Sequence, residues 1–326
     1  MKRRTFIAGL GSAAAWPVVA RAQQAAMPVI GVLCSGTPGR FAPLVASFMQ
    51  ALKEAGFNEG HNLVVEQRWA NDQYDRLPEM AAELVRARVS LIVAYGNNLP
   101  ALAAKAATST IPIVFVMGAD PVALGLVDSL NRPGGNITGV SVTIADTVQK
   151  RFQLLHDMVP IARRFGYLGN PDNPANRAAV INVQVPVRTW GGTVEVANAR
   201  AARDLDAAFA EFAERHVEAI VIGGDALFGS EIEHLSRLAA QYAVPVIYGF
   251  PVNVRNGGLM SYSAASGYVV RQAGLYAGRI LKGEKPANLP VVQPIKFELV
   301  INLKTAKALG LTIPETLLAT ADEIIQ

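Results

Sequence analysis

From Pro28 onward the chain alternates short, wholly apolar runs with longer stretches in which apolar residues recur at helical spacing. The segment "PVIGVLCSG" (28–36) reads as a strand ending in a Gly/Thr/Pro loop, and residues 41–57 read as a helix stopped by Gly56. Strands follow at 62–70, 90–96 and 111–118, with helices at 75–89 and 99–110 between them. The order then repeats. A strand at 163–171 precedes a helix around 175–190 that ends at Gly191-Gly192, then strands at 193–199, 218–224 and 244–249 enclose helices at 204–217 and 230–243. Continuously apolar strands separated by amphipathic helices imply parallel sheets covered on both faces. Matching elements in matching order predict an α/β chain of two Rossmann-like lobes; the alternative is one long doubly wound sheet.

One short theme occurs twice. "IPIVFVMGADPV" (Ile111 to Val122) and "VPVIYGFPV" (Val244 to Val252) each give a Pro, an apolar strand, a Gly and a second Pro. The duplication predicts two loops facing each other across a cleft. The joins fit that plan. "RPGGNITGVSV" (132–142) suits a first crossing between lobes, "NGGLMSYS" (256–263) reads as a strand, and 267–283 is an amphipathic helix. "EKPANLPVVQP" (284–294) is an extended linker before a last strand and helix at 296–311. The expected division is lobe 1 from 27–140 plus 262–288, and lobe 2 from 141–261 plus 289–326. No element is assigned to 143–162.

The first 22 residues change how the charge is read. "MKRRTFIAGLGSAAAWPVVARA" has a basic start, a mildly apolar stretch broken by Pro17, and Ala20-Arg21-Ala22 as a small-x-small cleavage signal. The apolar run is shorter than the ~20 residues of a spanning helix, so an export signal is expected, with Arg3-Arg4 leaving the twin-arginine and general routes both open. The whole chain has 30 Lys+Arg and 26 Asp+Glu; residues 1–22 hold four of the basic residues and no acidic one, leaving 26 of each beyond them. Bulk electrostatics therefore offer nothing to nucleic acid. Cys34 is the single cysteine, so no intramolecular disulfide forms, and its apolar strand context marks it as core filler.

In parallel sheets ligands bind beyond the carboxyl ends of strands. Those ends are polar and Gly/Pro-rich here: Ser35-Gly36-Thr37, Gly96-Asn97-Asn98 and Asp120-Pro121, then Asn170 with Asn173 and Asn176, Asp225, and Tyr248-Gly249-Phe250. Several precede a helix, where free N–H groups favour an anion, although Asn and Asp at such places also serve simply as caps. Asp120 and Asp225 are the candidates for a ligand's amine. Phe250, with Tyr248, Tyr262 and Phe228, is the candidate apolar wall. Nucleotide-loop, nucleophile-elbow and zinc-helix motifs are absent, and His61, His156, His216 and His234 are scattered, so no cofactor, metal or catalytic residue is expected.

Four segments, "RWANDQYDRLPEMAAELV" (68–85), "AAKAATSTIPIVFVMGADPVALGLVDSLNRPGGNITGVS" (103–141), "GNPDNPAN" (169–176) and "LKGEKPANLPVVQPIKFELVINLKTAKALGLTIPETLLATADEII" (281–325), closely resemble the ABC transporter substrate-binding proteins that include tryptophan/tyrosine-type receptors. The resemblance spans nearly all of the chain after the leader. It implies a type I periplasmic-binding-protein fold with three crossings, closing on a small molecule, and delivery to a membrane permease driven by a cytoplasmic ATPase; the expected protein is a monomeric periplasmic receptor for an amino acid or small carboxylate. By position it implies ligand contacts at Ser35 to Thr37, Asn97, Asn98, Asp120, Pro121, Asn170, Asn173 and Asp225. The chain departs from the family pattern at Ser263-Ala264-Ala265, where relatives tend to have Gly then Asp, and at Gly96-Asn97-Asn98, where Gly-Thr-Pro is common. Two other readings stay open: the ligand-sensing partner of a membrane signalling protein, and an exported enzyme on the same scaffold.

Overall fold

The computed structural model describes residues 27–142 and 144–326; the export signal read at 1–22 lies outside them. Two sheets organise the chain. The first contains β1 (Val29–Cys34), β2 (Val64–Trp69), β3 (Leu91–Tyr95), β4 (Ile113–Met117) and β5 (Ile137–Ser141), in the order β2-β1-β3-β4-β5 with every neighbour parallel. Helices α1 (Pro38–Glu54), α2 (Leu77–Arg86) and α3 (Leu99–Ala107) connect its first four strands. Leu33, Ile92 and Phe115 face one way and pack with Leu77, Leu84 and Ala104 of α2 and α3. Ile30, Val93 and Val114 face the other way, against Phe48 and Leu52 of α1. A core on each face explains why these strands read as unbroken apolar runs: either side of the strand is inside, and each large side chain so buried contributes about 1.5–3 kcal/mol.

The second half runs α4 (Ile144–Met158), β6 (Arg164–Gly169), α5 (Pro174–Thr189), β7 (Thr193–Asn198), α6 (Leu205–Glu214) and β8 (Ala219–Ile222). It continues through α7 (Ala226–Ser230), α8 (Ile232–Gln241), β9 (Val246–Tyr248), α9 (Pro251–Arg255) and β10 (Met260–Ala264). The remaining elements are α10 (Ser266–Leu281), β11 (Phe297–Asn302), α11 (Leu303–Ala308), α12 (Glu315–Thr320) and β12 (Glu323–Ile325). Seven of these strands form one sheet, β12-β11-β10-β9-β8-β6-β7, parallel except where β10 meets β11. It too is covered twice, by a cluster around Phe152, Phe165 and Val183 and by another around Leu205, Phe209 and Leu235. The single-sheet alternative is thereby excluded, and the two-lobe α/β fold stands.

The chain passes between the sheets three times. It leaves the first sheet after β5, returns from β10 into α10, whose Val270 and Ala273 join the core around Phe48, and leaves again through 290–296 toward β11. The strands of this hinge touch: Val292 donates to the Gly139 carbonyl, Ser141 N–H to Val292, and Ala265 N–H to Lys296. Two elements differ from the sequence reading. Residues 137–141 lie in the first sheet as β5, so the crossing follows them, and α4 fills a stretch to which no element was assigned. Its buried stripe, Val148, Phe152 and Leu155, is at helical spacing but is interrupted by Lys150 and Arg151.

β5 lies close to β4 at Gly139, where a β-carbon would sit 2.1 Å from the Phe115 carbonyl oxygen and 2.6 Å from its nitrogen. Neither is a side chain that can swing aside. Gly139→Ala is therefore expected to destabilise the protein by about 2–4 kcal/mol, read as a lowered urea midpoint.

Candidate ligand-binding cleft

The strand ends of both sheets converge on one cavity. It is bounded on the first-lobe side by Gly96, Asn97, Asn98, Met117 and Gly118, and on the other by Asn173, Gly224, Asp225, Gly249 and Phe250, and it holds about 750 Å³ of non-atom space with its mouth included. Met117-Gly118 and Gly249-Phe250 belong to the two copies of the repeated theme. Those loops do face each other.

A chain of hydrogen bonds joins the halves here. Asn98 receives the N–H groups of Gly118 and Ala119 on its Oδ1 and donates Nδ2–H to Asn173 Oδ1 at 2.7 Å, across the cleft. Asn173 also caps α5 through Ala175 N–H, and donates to Asp225 Oδ2 at 2.7 Å. Asp225 caps α7 through Leu227 N–H, and its Oδ1 accepts from Asn170 Nδ2 at 3.2 Å and from the Tyr74 hydroxyl at 2.9 Å, again across the cleft. A third cross-lobe bond runs from Ser230 Oγ to Asp72 Oδ2 at 2.8 Å. The caps anticipated from sequence are real, but the same side chains do more: the groups that end the helices also tie the lobes.

Ser35, Gly36, Thr37, Asp120, Pro121 and Asn170 sit outside the cavity wall. The Ser35 and Gly36 carbonyls accept the N–H groups of Asp72 and Asn71, holding the left-handed turn at Asn71 (φ 52°) and Asp72 (φ 61°) that presents Asp72 and Tyr74 to the other lobe. Ser35 is covered by Gly96, whose φ of +116° and missing side chain admit the serine hydroxyl. Asp120 is turned into its own loop, where Oδ1 accepts from Val122 and Ala123 N–H. Thr37 precedes α1 without a side-chain cap. Asn97, Asn98, Asn173, Asp225 and Phe250 do line the cavity. Of the other aromatics weighed, Tyr248 and Phe228 lie in the second-lobe core, and Tyr262 stacks on Phe297 with ring centroids 5.6 Å apart.

The most polar wall residue is one that the sequence reading passed over. Arg151, on α4, is 3% exposed and lines the cavity beside Thr147. Its Nε–H donates to the Tyr262 carbonyl at 2.7 Å and Nη1–H to the Ile222 carbonyl at 3.4 Å; among the described residues no carboxylate pairs with it. Burial pulls its pKa down to about 10, opposed by the neighbouring Tyr167 and Tyr262, so it is charged at neutral pH. Burial likewise pushes the Tyr167 hydroxyl up, leaving it neutral and donating to Asn176. The signal for Arg151 is its register: it falls in the same stripe as Thr147, Val148 and Leu155, a position that should hold an apolar residue. Two further wall donors, Asn97 Nδ2 and Ser263 Oγ, are buried without a partner among the described residues.

A cavity enclosed between two lobes, with polar groups from both converging on it, defines a solute-binding protein. The chain belongs to the ABC transporter substrate binding protein family, whose model matches residues 37–325. It is 26% identical over 265 residues to the tyrosine-binding protein of Clostridioides difficile strain R20291, spanning 81% of this chain and 75% of that one. A conserved domain protein from Vibrio cholerae superposes with a TM-score of 0.85 at 28% identity, over 91% of this chain and 99% of the other. The L-Trp complex of an ABC domain from Streptococcus pneumonia gives 0.85 at 24% identity with the same coverage, and so shares the fold. The protein is thus the substrate-binding component of an ABC transport system, with a small molecule as ligand and a permease as partner.

Removing one cross-lobe bond should loosen the closed form. A hydrogen bond to a carboxylate contributes about 1.5–3 kcal/mol, so Tyr74→Phe is expected to populate an open state, seen as an increased radius of gyration in small-angle scattering while far-UV circular dichroism stays unchanged.

Proposed function

We propose that this protein is a soluble, monomeric receptor of the periplasm that closes on an amino acid or small carboxylate and presents the closed form to its permease, binding the molecule without transforming it. Export through residues 1–22, by the twin-arginine or the general route, belongs to this reading. So does the division into lobes at 27–140 plus 262–288 and 141–261 plus 289–326, with the intervening crossings as the hinge. The carrying observation is Arg151: a guanidinium buried in the wall, charged and without a carboxylate partner among the described residues. A buried unpaired charge is costly, and a ligand carboxylate relieves that cost with charge-assisted hydrogen bonds. The tyrosine- and L-Trp-binding relatives support the amino-acid size class, and Val116, Met117, Phe250 and Val269 supply an apolar wall.

The motion required is small in energy. The three cross-lobe hydrogen bonds together contribute a few kcal/mol, the scale on which a ligand shifts a two-state equilibrium. Among the described residues, no helix is long and apolar enough to cross a membrane.

A panel of amino acids and small carboxylates at millimolar concentration is expected to contain members that raise Tm by several degrees, since a ligand at 100 times its Kd stabilises by about 2.7 kcal/mol, and that compact the protein in small-angle scattering. Absence of both responses across the panel would falsify the receptor reading.

The pH dependence follows from Arg151. A lowered cationic pKa means that the folded state holds this proton less tightly than the unfolded one, so the charged form costs stability below about pH 10 and that cost fades as pH rises further. Carboxylate binding needs the charged form. Affinity is therefore expected to stay level through neutral pH and to fall as pH rises past about 10, measured by calorimetry.

A further inference from the structure

We propose that the ligand is an apolar carboxylate that carries no ammonium group, seated with its carboxylate on Arg151 and its hydrocarbon part against Val116, Met117, Phe250 and Val269. The inference rests on the receptor reading just given and narrows it to one half of the class named there.

The donors around the cavity call for an anion. Arg151 uses its Nε–H and one Nη1–H on backbone carbonyls, and the rest of its fork has no acceptor among the described residues. That fork matches the two oxygens of a carboxylate. Ser263 Oγ and Asn97 Nδ2, both more than nine-tenths buried and both in the wall, supply further donor capacity that the described residues leave unused. Buried donors left unmade are expensive. A ligand rich in acceptors at one end satisfies all three.

An ammonium group finds no comparable welcome. Asp225 is the only carboxylate among the described lining residues, and four donors already crowd it. Oδ1 receives Tyr74 Oη–H, Asn170 Nδ2–H and Leu227 N–H, and Oδ2 receives Asn173 Nδ2–H; a carboxylate offers about four such positions. An ammonium could reach Asp225 only at the remaining position of Oδ2, beside the Asn173 amide that also holds Asn98, or by displacing a helix cap or the Tyr74 bond that joins the lobes. Asp120, the other carboxylate considered for this role, is exposed and committed to Val122 and Ala123 N–H. The end of β10 and the start of α10 place Ser263, Ala264 and Ser266 on the wall, with hydroxyls and a methyl but no charge. An ammonium enclosed here stays a buried cation facing a second cation, Arg151, across a mainly apolar space.

The test is isothermal calorimetry on the exported protein with matched pairs that differ only in the α-ammonium: 3-phenylpropanoate and L-phenylalanine, 3-(4-hydroxyphenyl)propanoate and L-tyrosine, indole-3-propanoate and L-tryptophan, 4-methylpentanoate and L-leucine. In every pair with a binding member, the ammonium-free acid is expected to bind at least about tenfold tighter. Arg151→Met should abolish that binding. Arg151→Lys, which keeps the charge and is the safer variant to fold, should weaken the acid at least about fivefold by losing the two-pronged contact while the acid still outranks the amino acid. Equal or tighter binding by the amino acid in any pair overturns the inference and leaves the receptor reading intact. So does unchanged acid affinity in either Arg151 variant that retains wild-type circular dichroism. If no member of any pair binds, the amino-acid-or-carboxylate reading itself falls, and this inference with it.

Discussion

The arrangement of the molecule turns on one carboxylate met by four donors. Asp225, 2% exposed at the end of β8, accepts hydrogen bonds from its own helix, from two asparagines of its own lobe and from a tyrosine of the other. A carboxylate removed from water must be met by donors, and here the donors come from both halves. Closing the lobes is therefore part of how the second lobe satisfies its own interior. The Asn98–Asn173 bond extends the same network to the ends of β3 and β4, so closure is felt at once by the loops that wall the cavity.

Arg151 is the counterpart of that carboxylate and is treated in the opposite way. Both groups are buried in the same wall, yet four donors meet the one and, among the described residues, two backbone carbonyls meet the other. Full internal pairing of the two would have left a neutral, self-contained interior with little electrostatic reason to take up a solute. With the acid occupied by structural donors and the base without a carboxylate partner among the described residues, the unused polar capacity of the wall lies mainly on Arg151. The polar group that ties the lobes is thus distinct from the one left with unused donors, even though both line the same cavity.

Much of this was legible before any coordinates. The unbroken apolar strands announced sheets covered on both sides, and the repeated Pro–strand–Gly–Pro theme placed Met117-Gly118 opposite Gly249-Phe250. Asn97, Asn98, Asn173 and Asp225 were identified as polar groups at strand ends. Their partners were not, because a strand end shows in sequence that a polar group will lie near the cleft, and not which lobe it will bond. Ser35 and Gly36 illustrate the limit: they follow a buried strand as a ligand loop should, yet their carbonyls support the Asn71-Asp72 turn. Arg151 escaped for a different reason. A basic residue in an apolar stripe is discounted when the stripe is short, and although Pro160 follows the helix that carries it, no Gly or Pro within 140–159 marks where that helix starts.

The sequence by itself determined the layering: which segments are strands and helices, that two similar halves exist, and that polar loops end their strands. These follow from periodicity and local turn chemistry, which act within a few residues. Only the tertiary structure decided which buried side chain is spent on joining the lobes and which is left with unused donors in the cavity wall. That choice depends on contacts between residues distant in sequence, such as Tyr74 and Asp225, brought together by the two lobes meeting, or Arg151 and Tyr262, brought together where α4 packs on the second sheet, and no local pattern encodes whether a buried charge has found its partner.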